Sequence, residues 1–234
     1  MVFTGNPGTA RTTVARLFAQ MLKDEKVLPT GQFVEVGRGD LISDHVGGTA
    51  LLVKEKFREA QGGVLFIDEA YSLCDDRKNS FGDEAISTIV QEMENSRDRV
   101  IVIFAGYPEP MKEFLDRNPG MSSRIAFRIN FDDYTVEELC EITKLMVSKK
   151  EMSITDGAME KLRNAYWKVN RTSDFGNGRF VRKLLEEAQM NLAERLLDLA
   201  DPDVSREMLT TIEEIDIPDT TTLTEKPMKL GFGF

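Results

Sequence analysis

The sequence predicts an α/β fold: a five-stranded parallel sheet with helices on both faces, followed by a helical subdomain. Three observations predict it. Short β-prone runs alternate with helical patterns up to about residue 132. Two of those runs, Val64-Leu65-Phe66-Ile67 and Val100-Ile101-Val102-Ile103-Phe104, are apolar without interruption, as strands covered on both faces must be. From residue 134 to 205 only helical patterns follow one another. The predicted divisions are an α/β subdomain over 1–133, a helical subdomain over 134–205 and a tail over 206–234.

Met1-Val2-Phe3 opens the chain as an apolar run. It is short beside the usual strand of about 5–6 residues, which predicts that an upstream segment of a longer polypeptide is missing. A helical pattern follows with Val14, Leu17, Phe18, Met21 and Leu22 on one face. After the turn Pro29-Thr30-Gly31, Phe33–Val36 alternates as a strand. Arg38 to Gly48 is polar and Gly-rich, a loop with one turn around Leu41-Ile42. Thr49 is the expected cap of a helix that places Val53, Phe57 and Ala60 on one face. Gly62-Gly63 leads into the strand Val64–Ile67, and a polar loop from Cys74 to Ser80 precedes a helix through Ala85, Ile86, Ile89, Val90 and Met93. Gly106-Tyr107-Pro108 ends the strand that starts at Val100. Met111 to Leu115 is a short helix, Asn118-Pro119-Gly120 a turn, and Ile125 to Phe131 a half-exposed edge strand. Thr135-Val136-Glu137-Glu138 is a capping box opening a helix through Met146. Further helices run from Thr155-Asp156 through Trp167 and from Arg179 to about Leu199, with Pro202 closing the subdomain and a loosely held tail beyond.

Composition narrows the functions. Of 234 residues, 41% are hydrophobic and 30% charged, enough for a sizeable core. The net charge of −10 argues against nucleic acid or an anionic membrane as a general partner. Cys74 and Cys140 stand far apart and suggest neither a disulfide framework nor a zinc site. No apolar run approaches a membrane span and no signal peptide is visible, so the expected compartment is the cytoplasm.

Two stretches carry chemistry. Gly5-Asn6-Pro7-Gly8-Thr9-Ala10-Arg11-Thr12-Thr13 lies between a strand and a helix, the context of a phosphate-binding loop. Backbone N–H groups of such a turn and of the helix start converge on a polyphosphate. The pattern G-x-x-x-x-G-K-[ST] is met except at Ala10, in place of the second Gly, and Arg11, in place of the Lys. Thr12 stands at the hydroxyl position that serves Mg²⁺. Asp68-Glu69 follows the buried strand Val64–Ile67, at the carboxyl end where open parallel sheets bind ligands. There Asp68 is expected to hold Mg²⁺ and Glu69 to orient and activate water.

With these motifs, the stretch from residue 2 to about 200 resembles an AAA+ ATPase module, a P-loop NTPase with a helical lid. It is most similar to the group of CbbX-type Rubisco activases and stage V sporulation protein K-like ATPases. The resembling blocks are Val2–Thr9, Gly62–Tyr71, Ile103–Tyr107 and Asn118–Arg124. The resemblance implies that Arg124 is an arginine finger reaching a neighbouring subunit's γ-phosphate, with Arg128 as the alternative. It implies that Arg179 is the second sensor, with Arg182 one turn on as a substitute. Tyr107 occupies the first-sensor slot, where the family often has Asn. His45-Val46-Gly47 matches the loop that grips polypeptide in a ring's central pore, with the chain's one His in the aromatic place.

The expected function is therefore an ATP-driven protein-remodelling motor acting as a homo-oligomeric ring, a hexamer, with ATP and Mg²⁺. The alternative is a nucleotide-responsive scaffold or regulator with weak or absent hydrolysis. Arg11 motivates that alternative, because a planar guanidinium is not equivalent to a compact ammonium. Ala10 adds a Cβ where the backbone must approach phosphate closely.

Overall fold

The structure, a computed structural model, describes residues 1–74, 81–169, 175–198 and 205–219. The chain divides into two compact units, 1–132 and 133–234. Residues 75–80 of the loop expected from Cys74 to Ser80, Pro202 and the tail beyond 219 lie outside the described residues.

In the first unit, β1 (Val2–Gly5), β2 (Phe33–Val36), β3 (Val64–Ile67), β4 (Ile101–Gly106) and β5 (Arg128–Phe131) form one sheet in the order β2-β3-β4-β1-β5. All pairings are parallel. Period-two alternation sends Val2, Leu65, Ile67, Val102 and Phe104 to one face, where they pack with Val53, Phe57, Ile89 and Phe114. Phe3, Val64, Phe66, Ile103 and Ala105 face the other way, against Ala15 and Ala19. The first set meets α3 (Gly48–Glu59), α4 (Phe81–Asn95) and α5 (Pro108–Arg117); the second meets α1 (Arg11–Asp24). The expected five-stranded parallel sheet covered on both faces is observed.

Several local expectations change. In α1 the buried residues are Ala15 and Ala19, with Phe18 and Leu22 packed beside them, while Val14, Leu17 and Met21 are exposed. The helix lies close on the sheet through small side chains, so the apolar stripe read from the sequence is rotated away from the core. The turn near Leu41 is a short helix, α2 (Arg38–Leu41). Thr49 is not a cap, because Gly47 holds that position with φ 77°. Thr49 is buried inside α3, and its Oγ1 accepts from the Ser43 N–H at 3.1 Å. The turn at Asn118 is followed by another short helix, α6 (Pro119–Ser122).

The second unit is built on α7 (Val136–Lys149), α8 (Asp156–Lys168) and α9 (Gly178–Asp198). The capping box is present: Thr135 Oγ1 accepts from Glu138 N–H and the Glu138 carboxylate accepts from Thr135 N–H. Leu139, Leu162, Tyr166, Val181, Leu185 and Leu192 form its core. Strands do occur here, against expectation: β6 (Ser153–Ile154) pairs in parallel with β7 (Thr211–Ile212). Nor is the chain loosely held just past residue 206. The helix α10 (Arg206–Thr210), β7 and a 3-10 turn at Glu214–Asp216 belong to this unit, and Ile212, Asp216 and Ile217 are buried.

Candidate functional site

Gly5 ends β1 at the sheet's carboxyl edge, beside the end of β4. The chain leaves β1 for one side of the sheet and leaves β4 for the other, so this is the topological switch point at which open α/β sheets bind ligands. A Cβ on Gly5 would stand 2.6 Å from the carbonyl O of Phe131 and 2.9 Å from Thr9 Oγ1, so only glycine fits. The Thr9 hydroxyl is buried and donates to the Asn6 carbonyl at 2.9 Å, pinning the turn. Gly8 and Ala10 both adopt left-handed backbone, with φ 73° and 65°. Ala10 is the N-cap of α1 and offers no side-chain acceptor. The first-turn N–H groups, which have no acceptor within the helix, therefore remain available, and no acidic residue opposes an anion there. Thr12 is half-buried and Thr13 exposed on that turn.

Arg11 turns back along the sheet edge. Its Nη1 donates to the Gly5 carbonyl at 2.8 Å and also to the Gly106 carbonyl. The guanidinium carbon lies 5.5 Å from the centre of the Tyr107 ring, a cation–π contact. Tyr107 is half-buried, caps α5 through its backbone, and packs 5.9 Å centre to centre from Tyr71. Burial, reinforced by the negative charge of Glu69, pushes the Tyr71 phenol up to about 12, and Arg11 opposes that rise.

Asp68 and Glu69 follow β3 at the same edge. The Asp68 N–H extends the ladder to Val36 O at 2.9 Å, and Asp68 Oδ1 accepts from the Glu69 N–H at 3.0 Å. Glu69 is exposed and holds a left-handed conformation, φ 48° and ψ 44°, that turns the chain into the 3-10 helix Ala70–Leu73. A non-glycine residue at such a bend is strained, and strain of this kind concentrates at functional sites.

The remaining predicted residues stand on other elements. Arg124 precedes β5 and therefore sits toward the amino end of the sheet, since Val2 pairs with Arg128 and Gly5 with Phe131. Its Nε meets Glu94 Oε2 at 3.3 Å, and its Nη1 donates to Gly120 O at 2.8 Å. It also lines a cavity of about 740 Å³ with Met1, Phe18, Glu94, Ile101 and Phe127. Arg128 donates to Ser122 Oγ. Arg179 and Arg182 are exposed in the first turns of α9, in the second unit. His45, Val46 and Gly47 form an exposed turn. The Ser43 hydroxyl accepts from the His45 N–H at 3.1 Å, and Val46 is 95% exposed. No group of three or more His, Cys, Asp or Glu side chains suited to a metal occurs among the described residues.

Sequence reasoning overlooked Tyr71 and Glu94. Tyr71 had a local signal, an aromatic two residues past the acidic pair. Glu94 meets Arg124 across 30 positions of sequence, which no local pattern reveals.

Comparison with known proteins agrees with this architecture. Residues 1–133 match the family described as "ATPase family associated with various cellular activities (AAA)", and residues 135–227 match the AAA lid domain. The chain is 42% identical over 222 residues to a CfxQ homolog of Trieres chinensis, covering 94% of this chain and 76% of that protein. It is 42% identical over 200 residues to stage V sporulation protein K of Bacillus subtilis, covering 84% of this chain but only 62% of that protein. It is 39% identical over 218 residues to a chloroplastic ribulose bisphosphate carboxylase/oxygenase activase of Cyanidioschyzon merolae, covering 93% and 74%. Among solved structures, the FIGL-1 AAA domain in complex with ADP superposes with a TM-score of 0.67 at 19% identity, covering 97% of this chain and 72% of that one. That likeness establishes the fold. The family profiles and the relatives near 40% identity establish more: the chain belongs to the AAA family of ATPases.

Proposed function

We propose that this chain binds ATP at the loop Gly5–Thr13 and hydrolyses it to drive remodelling of a protein partner. One observation carries the reading. A left-handed turn, an uncapped helix start and the Asp68-Glu69 pair all stand at the carboxyl edge of the sheet that contains the switch point. Asn6 to Thr13 cradle the phosphates. The Thr12 hydroxyl and the Asp68 carboxylate are hard oxygen donors suited to Mg²⁺, which supplies neutralisation of phosphate charge when bound. Glu69 takes a proton from water as its oxygen attacks the γ-phosphorus. The bond to the bridging oxygen breaks, leaving ADP and inorganic phosphate. Arg124 serves a neighbour's site, Arg179 is the second sensor, and Tyr107 stands in the first-sensor slot. The subunits form a ring, a hexamer, and the His45-Val46-Gly47 turn contacts the polypeptide substrate. Cys74 and Cys140 are free, which suits a reducing compartment, and we assign the cytoplasm.

Steady-state ATPase measurements test this reading. Glu69→Gln is expected to bind ATP and lower turnover at least about 100-fold, within the range for general acid–base catalysis. Normal turnover by that variant removes Glu69 from its role.

A second reading, a nucleotide-responsive regulator with slow hydrolysis, is favoured by Arg11, which is engaged with main-chain carbonyls and an aromatic ring. Arg11→Lys separates the two. A faster Arg11→Lys variant supports the regulator; equal rates support the motor.

A further inference from the structure

Arg11 reaches back to the first residue of its own loop and to the end of the neighbouring strand. The two carbonyls it meets, Gly5 O and Gly106 O, end β1 and β4, the strands that flank the switch point. Its third partner is the face of Tyr107, itself backed by Tyr71. Gly106 makes this packing feasible. A Cβ there would stand 2.7 Å from Met111 Sδ and 2.8 Å from Tyr71 Cδ1, so its absence lets Tyr71 close over the strand end. These partners offer partial charges only, enough to hold a cation while no stronger anion is near. They also suit arginine over lysine. A planar guanidinium can donate to two carbonyls from one edge while a ring lies near its face; a compact ammonium has no face to stack.

The geometry points to a latch, in which Tyr107 and the Gly5 and Gly106 carbonyls hold Arg11 back on the sheet edge. A nucleoside triphosphate must then draw the guanidinium off these contacts before Arg11 can serve it. Tyr107 is thus a positioning residue that acts through Arg11 and not by reading phosphate itself. The inference rests on the ATP-site reading above and deepens it. Free energy spent on releasing Arg11 is lost from binding, so affinity is set partly by how firmly the empty site holds its own arginine.

The test is a double-mutant cycle read by equilibrium binding of Mg-ATP. The proteins are the full chain, Tyr107→Leu, Tyr107→Phe, Arg11→Lys and Arg11→Lys/Tyr107→Leu. Tyr107→Leu keeps apolar bulk but removes the ring face, and is expected to tighten binding roughly fivefold, the scale of one cation–π contact. Tyr107→Phe keeps the face and is expected to restore affinity close to the parent value. In the Arg11→Lys background the gain from Tyr107→Leu is expected to shrink to less than about twofold, because the coupling runs through the guanidinium. Weaker or unchanged binding on Tyr107→Leu, or an equal gain in both backgrounds, overturns the latch and leaves the nucleotide site intact. Absence of ATP binding by all five proteins instead overturns the site reading, and the latch with it. If Tyr107→Leu does not fold, proton NMR of the parent chain decides. Arg11 side-chain signals shifted upfield by the ring in the free protein, and moved back by Mg-ATP, support the latch; unshifted signals in the free protein overturn it.

Discussion

Ala10 shows how one side chain can strain the loop it belongs to. Its φ of 65° is a conformation glycine adopts freely, whereas a Cβ costs about 1–2 kcal/mol. Ala10→Gly removes that strain but restores freedom to the unfolded chain, so a net gain of about 0.5–1 kcal/mol is expected. A higher midpoint in urea checks it; a lower one would mean that the Ala10 methyl packs usefully. Tyr71 gives the same site a pH signature. Its folded phenol is pushed up to about 12 from an ordinary value of 10.0, chiefly by burial, so the folded state favours the neutral form. The stabilisation linked to Tyr71 is fully present below pH 10 and is lost as pH rises toward 12. Tyr71→Phe has no proton to lose. The stability difference between parent and variant is therefore expected to be constant up to about pH 9 and to move against the parent by pH 11, read by urea unfolding at both. A difference that stays constant across that range would place the phenol in ordinary solvent.

At the scale of elements, legibility in the sequence followed length and continuity. Val64–Ile67 read as a doubly covered strand because all four residues are apolar, and all four are fully buried. The capping box at Thr135 read correctly because its partners are three residues apart. In α1 the signal misled, because burial there is carried by Ala15 and Ala19 while the larger Leu17 and Met21 face outward. The two-residue strands β6 and β7 are too short for any periodicity to register. Of the candidate site, the loop Gly5–Thr13 and the acidic pair were visible as contiguous motifs. The partners of Arg11 were not, since they include a carbonyl 95 positions away. Distant pairing also ties the chain near residue 216 to α9. Asp216 is buried and accepts from Arg195 Nε at 2.8 Å and Nη2 at 2.9 Å, while its main-chain carbonyl accepts from Asn191 at 2.8 Å. Arg195→Ala leaves that carboxylate without its cation. The expected loss is about 2–3 kcal/mol, at the low end for a broken buried pair because Arg195 keeps some solvent contact. Thermal unfolding of the variant beside the parent measures it, and an unchanged transition would show that the Glu213 N–H, which donates to Asp216 Oδ2 at 2.8 Å, suffices.

At the scale of the whole molecule, two predicted functional groups stand at opposite ends of one sheet. The loop after Gly5 is at the carboxyl edge and Arg124 precedes the amino end of β5. The length of β5 alone, roughly 10 Å between Arg128 and Phe131, separates them along the strand direction. Arg124 is therefore poorly placed to serve the loop of its own chain, and in the proposed head-to-tail ring it is expected to serve the site of the next copy. Arg124→Ala is expected to bind nucleotide without turning it over. Glu69→Gln is expected to fail for the complementary reason. A mixture of the two contains junctions in which an Arg124→Ala subunit, whose Glu69 is intact, meets a Glu69→Gln neighbour, whose Arg124 is intact. With random equimolar mixing about one junction in four is of this kind, whatever the ring size, and turnover is expected to recover to about a quarter of the parent rate. Solution mass with ATP and Mg²⁺ verifies that mixed assemblies form, and the same measurement without nucleotide shows whether assembly depends on it. Mixed rings that form and stay inactive would assign Arg124 to its ion pair with Glu94 and leave the finger to another residue.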